Sequence, residues 1–186
     1  MDKEKKLQNL KKEIEVCPLC KEDGIGVPVF GEGNPDAQVI FVGEAPGREE
    51  ARTGRPFIGR SGKLLRSLIN QIGLKEEDVY ITSPVKYLPS YGTPKKKDII
   101  HARTHFDKQL SIIDPQIVIL LGKTAAYAVL DEEVAILTRH GEIVEKDGKN
   151  FMITLHPAAV LRFNKNEPLL RADFEKAKKL ITSNLT

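Results

Sequence analysis

Four short apolar runs divide the chain, at residues 39–42, 79–82, 117–121 and 151–155. Their length and unbroken apolar character are typical of strands that are buried on both faces of a sheet. Amphipathic segments lie between them, and strands that alternate with helices favour a parallel sheet. The pattern therefore predicts an α/β fold of three α/β/α layers, with a central, mostly parallel sheet of four strands.

Several segments carry apolar residues at helical spacing. Residues 1–16 predict a charged helix with one apolar face. Further helices are predicted from Ser61-Gly62 to Gly73, around residues 96–113, over residues 123–130 and near the C-terminal end. Since we find no internal repeat and no long linker, we expect one domain over residues 1–186, with residues 1–16 as its N-terminal helix.

Composition excludes several classes of protein. The 186 residues are 40% hydrophobic and 30% charged, which excludes a disordered or collagen-like chain. No apolar run is long enough to span a bilayer, and residues 1–16 lack the apolar centre of a signal peptide. We therefore expect a cytoplasmic protein without a membrane partner, and a monomer.

Basic residues are clustered although the net charge is only +3. Lys95, Lys96 and Lys97 form one block, and four arginines are spread over residues 48–60. Such clusters are typical either of a solvated surface or of a surface that binds nucleic acid. Charge alone leaves both interpretations open.

Three polar residues follow predicted strands directly. Glu44 comes after the first strand, Ser83 after the second and His156 after the last. Ligands of parallel α/β sheets bind beyond the carboxyl ends of the strands. We therefore expect these side chains to share one site.

The segments around these residues carry motifs of a known family. They read VGEAPG from residue 42, TGRPFIGRSGKLL from residue 53, YITSPVK from residue 80 and LHPAAVLR from residue 155. In this order and at these intervals they resemble family 4 of the uracil-DNA glycosylase superfamily, from about Cys17 to about Leu180. The resemblance implies a DNA repair hydrolase that cleaves the N-glycosidic bond of uracil, or of another deaminated base, and leaves an abasic site in DNA.

The resemblance and the chemistry of the reaction assign the same roles. Glu44 is expected to position water and stabilise a cationic sugar, and His156 to donate a hydrogen bond to the departing base. Phe57 is expected to stack on the flipped base, and Gly43, Ala45 and Ser83 to line its pocket.

A second set of residues is expected to contact DNA. Gly59, Ser61 and Gly62 precede a predicted helix, whose N-terminal end suits a phosphate, and Lys63 adds charge there. Leu161 resembles the apolar wedge that fills the place of a flipped base, and Arg162 resembles a minor-groove or phosphate contact.

The chain departs from the family pattern in its base pocket. The family has an asparagine where this chain has Ser83. An amide offers both a donor and an acceptor to a base edge, whereas a hydroxyl is shorter and less directional. Strict specificity for uracil is therefore in doubt.

The second departure concerns a metal site. The family usually holds a 4Fe–4S cluster on four cysteines, but this chain has only Cys17 and Cys20, with Tyr87 in place of the third cysteine. His101 and His105 lie near the fourth position, one helical turn apart. We do not expect an intact cluster, and no cofactor is required for the chemistry. We expect a lapsed site that packing replaces, because two histidines one turn apart on a basic helix can equally be DNA-facing surface; a Cys2His2 zinc site is the alternative.

Two classes of function remain open. Glu44 and His156 favour an enzyme, a monofunctional DNA N-glycosylase. Ser83 and the missing cysteines favour a weakly catalytic or non-catalytic protein that binds DNA or a damaged base on the same fold.

Overall fold

The computed structural model describes residues 2–185. The helices are α1 (Lys3–Val16), α2 (Pro18–Lys21), α3 (Arg48–Thr53), α4 (Arg60–Gln71), α5 (Lys96–Ile113), α6 (Lys123–Leu130), α7 (Ile136–Arg139), α8 (Pro157–Arg162) and α9 (Glu167–Leu185). The strands are β1 (Gly24–Ile25), β2 (Glu32–Gly33), β3 (Val39–Val42), β4 (Val79–Thr82), β5 (Leu88–Pro89), β6 (Ile117–Leu121), β7 (Ile143–Lys146) and β8 (Lys149–Thr154).

The central sheet has the strand order β2-β4-β3-β6-β8-β7. The four predicted strands, β3, β4, β6 and β8, form its parallel centre. The predicted number of four is too low, because β2 and β7 extend the sheet antiparallel at its two edges. β7 is the first arm of a hairpin that turns at Asp147-Gly148, where both residues have positive φ. The mostly parallel sheet of the prediction is confirmed.

Side chains alternate between the two faces of the sheet, so that each face has its own core. Ile40 and Val42 of β3 pack in one core with α1, α5 and α6, while Val39 and Phe41 pack in the other with α4 and α9. Parallel strands are buried on both faces in this way, which explains their continuous apolar runs. The three-layer α/β/α architecture of the prediction is confirmed.

The helices follow the predicted periodicity. α1 buries Leu7, Leu10 and Ile14, the apolar face expected for residues 1–16. α5 and α6 begin and end where they are predicted, and α4 begins slightly earlier, at Arg60. Among the residues described, no helix is both long and apolar enough to cross a membrane.

Candidate active site

The carboxyl ends of the parallel strands open into one cleft of about 200 Å³. The side chains expected to share a site meet here, because Glu44, Ser83 and His156 follow β3, β4 and β8. Phe57 and Ala45 also line the cleft. Its volume is below the ~300–1,000 Å³ of sites for drug-sized ligands, so its size suits a single ring.

Glu44 lies on the turn after β3 and is held by a partner from a distant segment. The hydroxyl of Thr124, in the first turn of α6, donates a hydrogen bond of 2.5 Å to Oε2 of Glu44. The two residues are 80 positions apart in the chain. This contact fixes the orientation of the carboxylate before any ligand binds. No sequence pattern indicates this contact, because it depends on β6, which α6 follows, lying beside β3 in the sheet.

His156 caps the N-terminal end of α8, and this contact determines its tautomer. Its Nδ1 accepts a hydrogen bond of 3.0 Å from the backbone N–H of Ala158. A neutral ring whose Nδ1 accepts must carry its proton on Nε2. Burial lowers the pKa of His156 below its ordinary value, although the nearby Glu44 carboxylate acts in the opposite direction. The ring is therefore a neutral Nε2–H donor around pH 7.

Phe57 is placed beside His156 by an unusual backbone conformation. Its φ of 51° lies in the left-handed region, which a bulky side chain rarely adopts. The ring lies 6.0 Å from the His156 ring, centroid to centroid, and the two planes differ by 28°. A Cβ atom on Gly43 would come within 2.5 Å of the Phe57 ring, so this position has room only for glycine.

The segment before α4 is held from three sides. Oε1 of the buried Glu50 accepts hydrogen bonds of 2.9 Å from the N–H groups of both Ile58 and Gly59. The guanidinium of Arg66 donates to the carbonyl oxygen of Phe57 at 3.0 Å. A Cβ atom on Gly62 would lie only 2.0 Å from the carbonyl carbon of Phe57, so α4 approaches this backbone as closely as a glycine allows.

The phosphate site expected at the start of α4 stays a prediction, with one change in the backbone groups that can take part. Gly59 is the N-cap of α4, whereas Ser61, Gly62 and Lys63 lie inside the helix rather than before it. The N–H of Gly59 is already bonded to the Glu50 carboxylate and is not available to a phosphate. The exposed Lys63 still places a positive charge on this part of the surface.

Ser83 lies in the cleft, and its hydroxyl proton is already donated in a hydrogen bond within the protein. The side chain is only 4% exposed, and its Oγ donates a hydrogen bond of 3.0 Å to the carbonyl oxygen of Val85. In this arrangement the hydroxyl can accept a hydrogen bond from a ligand but cannot donate one. An asparagine amide can both donate and accept a hydrogen bond.

Comparison with known proteins places this arrangement in a family. A sequence model of the uracil DNA glycosylase superfamily matches residues 30–180. The chain belongs to the uracil DNA glycosylase superfamily. Type-4 uracil-DNA glycosylase from Thermotoga maritima is 40% identical over 82% of this chain and 82% of its own length. The enzymes of that name from Sulfurisphaera tokodaii and Archaeoglobus fulgidus are 35% and 37% identical, over 94% and 91% of this chain and 84% and 88% of their own lengths.

A shallow groove beside the glycosylase cleft contains four of the six residues expected to contact DNA. Leu161 and Arg162 end α8 and line this groove together with Gly59, Ser61 and four charged residues of α3 and α4, namely Arg48, Glu49, Glu50 and Arg60. Leu161 is 37% exposed, and the adjacent Phe163, which the sequence analysis did not single out, is 55% exposed. Because His156 is the N-cap of α8, this helix connects the apolar edge directly to the cleft.

The four side chains named as a possible metal site converge on one point, and each of them is half-buried. Ligand atoms of Cys17, Cys20, His101 and His105 all lie within 4.8 Å of one another. The 4Fe–4S cluster that the resemblance to family 4 implies does not fit, because a cluster of this type needs four thiolates and the chain has two cysteines. Tyr87, in the position of the third cysteine, is buried and lines the adjoining cavity.

Proposed function

We propose that the chain is a monofunctional DNA glycosylase, which hydrolyses the N-glycosidic bond of uracil in DNA and leaves an abasic site. The observation that carries this proposal is the pairing, in one ring-sized cleft, of the Glu44 carboxylate with the neutral Nε2–H donor of His156. Membership of the superfamily and the names of the type-4 relatives support the same reaction.

The two groups match the two charges that develop in the reaction. As the bond between C1′ of the sugar and N1 of uracil breaks, its electron pair goes to the base and positive charge develops on the sugar. The carboxylate of Glu44 stabilises this cation and orients a water molecule, whose oxygen bonds to C1′ while its proton passes to the carboxylate. The released uracil anion then takes up a proton from the solvent, and the carboxylate returns its proton to the solvent. Fixed charges of this kind are effective because they need no reorganisation during the reaction.

His156 acts on the leaving base. Its Nε2–H donates a hydrogen bond to a carbonyl oxygen of the departing uracil, where negative charge accumulates. Because Nδ1 is occupied by the N–H of Ala158, the ring cannot turn its other nitrogen to the base. Together Glu44 and His156 supply the charge stabilisation of this hydrolysis, so the proposed chemistry requires no cofactor.

The remaining cleft residues hold the flipped base and the DNA. Phe57 offers its ring for stacking, while Gly43 and Ala45 bring the backbone close to the base. Leu161 is the proposed wedge in the base stack, and Lys63 and Arg162 face the phosphates. All of these groups come from one chain, which supports action as a monomer.

The proposal is tested with a synthetic duplex that contains a single uracil. We expect incubation with the protein to produce an abasic site, seen as strand cleavage after treatment with alkali. A duplex with thymine at the same position is the control and should stay intact. Retention of the uracil duplex on the protein without cleavage would instead support the alternative, a non-catalytic binding protein on this fold.

Ser83→Asn is expected to sharpen base discrimination. The hydroxyl of Ser83 only accepts a hydrogen bond, whereas an amide can donate to O4 of uracil and accept from its N3–H. One good polar contact with a base edge contributes ~1–3 kcal/mol of discrimination. Excision rates of uracil and hypoxanthine are compared in both proteins, with Ser111→Asn on the exposed side of α5 as the control. Equal preference ratios in the wild type and in Ser83→Asn would mean that this position does not contact the base.

A further inference from the structure

Two separate segments contribute the four convergent side chains. Cys17 is the N-cap of the short helix α2 and Cys20 lies within that helix, while His101 and His105 lie one turn apart on α5. More than 80 residues separate the segments, since the contact between Cys20 and His101 joins positions that are 81 apart. Helical spacing explains why the two histidines lie together, but not why both meet the two thiols.

The spacing of these atoms fits a single metal ion. Nε2 of His101 lies 3.3 Å from Sγ of Cys17 and 3.3 Å from Sγ of Cys20. Tetrahedral zinc with bonds of ~2.3 Å to sulfur and ~2.0–2.1 Å to nitrogen holds such pairs about 3.5 Å apart. The limit of 4.8 Å on every pair leaves room for one ion, whereas a four-iron cube binds its cysteines at separate corners.

His105 gives independent support for an ion bound by these four side chains. Its Nδ1 is buried, and it is the one buried side-chain nitrogen or oxygen in residues 2–185 for which no hydrogen-bond partner is found. A buried polar atom without a partner is costly, so native proteins nearly always satisfy it with a protein group, a water molecule or an ion. The exposed surface expected for His105 does not explain this atom, but a ligand at the group of four does.

We propose that Cys17, Cys20, His101 and His105 bind one zinc ion as a closed, tetrahedral, structural site. Two thiols lose their protons to the solvent on binding, and the resulting thiolates balance the charge of Zn²⁺. Two imidazole nitrogens complete the set, which leaves no open position for a substrate. The site is a zinc site in place of the iron–sulfur cluster of the related enzymes.

The ion would join parts of the fold that have few other connections. It would tie the start of α2, which buries none of its own residues, to the first half of α5. Zinc binds this assembled site and not the unfolded chain, so it stabilises the native state by mass action. The reaction proposed for Glu44 and His156 does not pass through it.

The test measures metal in the full-length protein, purified without oxygen and without metal-chelating resin. We expect about one zinc per chain by elemental analysis, and tetrahedral Co²⁺ bands with thiolate charge transfer after exchange with cobalt. The variant H101N/H105N should lose more than about 100-fold in zinc affinity, since even indirect partners of a metal ligand contribute 10–100-fold. His140→Asn is the matched control, because His140 bonds to Asp173 elsewhere and should leave the zinc content unchanged.

The cobalt spectrum of the wild type needs no variant, so the test does not depend on whether H101N/H105N folds. Iron with acid-labile sulfide instead of zinc would overturn the proposal, as would a wild-type protein that binds neither zinc nor cobalt when reconstituted under reducing conditions. Uracil excision is assayed in parallel on the same samples. A metal-free protein that still excises uracil would refute the zinc site alone, and a zinc protein without excision would refute the proposed reaction alone.

Discussion

Replacement of Glu44 by alanine is expected to lower the single-turnover rate of uracil excision by about 100-fold or more. The change removes the carboxylate that we assign to water positioning and to stabilisation of the cationic sugar. It also leaves the hydroxyl of Thr124 without its acceptor. The rate is measured under saturating protein, so that weaker DNA binding does not enter the result.

The neighbouring Glu49→Ala provides the control for this experiment. Glu49 is an exposed carboxylate on α3 that pairs with Arg52, so its loss changes the net charge equally without entering the cleft. An excision rate of Glu44→Ala equal to that of Glu49→Ala would refute the role of Glu44. DNA affinity is measured separately and should be similar in the two variants.

His156→Asn is expected to lower excision by roughly 10²–10³-fold, the usual loss when one donor to a developing negative charge is removed. Asparagine is a good N-cap, so it can still accept from the N–H of Ala158 and start α8. It lacks the Nε2–H group that we propose donates to the base. The variant therefore separates the capping role of His156 from its role as a donor, and its folding is checked by thermal unfolding.

The protonation state of His156 gives a second measurement. Since burial lowers its pKa, the ring should stay neutral down to below the ordinary histidine pKa of about 6.5, and excision should vary little between about pH 6.5 and 8. Below that range protonation of Nδ1 would disrupt the contact with Ala158, so both activity and stability should fall as the pH falls. Nitrogen-15 chemical shifts that show an imidazolium at pH 7 would contradict this assignment.

The parallel centre of the fold was predictable because its strands are buried on both faces. Residues 117–121 have no polar position, and such a run between turn residues has few alternatives to a central strand. The edge strand β2 was not predictable, since it has only two residues and its pairing with β4 depends on the sheet already being present. The local hydrophobic pattern therefore predicted the buried strands at the centre of the sheet. It did not predict β2, which lies at the edge.

The residues of the candidate site were likewise predictable only in part. Glu44, Ser83 and His156 were found because each follows a strand, and the topology then brings strand ends together. Thr124 and Glu50 were missed, because their roles depend on contacts with distant or unpatterned segments. The grouping of two cysteines with two histidines was visible in sequence only as an alternative, since spacing cannot fix the distance between α2 and α5.

The backbone around Phe57 has a consequence for affinity. A phenylalanine in the left-handed region is strained by about 1–3 kcal/mol, and the bonds from Glu50 and Arg66 keep it there in the absence of DNA. The entropy of ordering the ring that we propose stacks on the base is thus lost once, during folding, and not again at each encounter. Damage search along DNA involves many brief encounters, so a surface that is rigid beforehand lets even a short-lived extrahelical base be recognised.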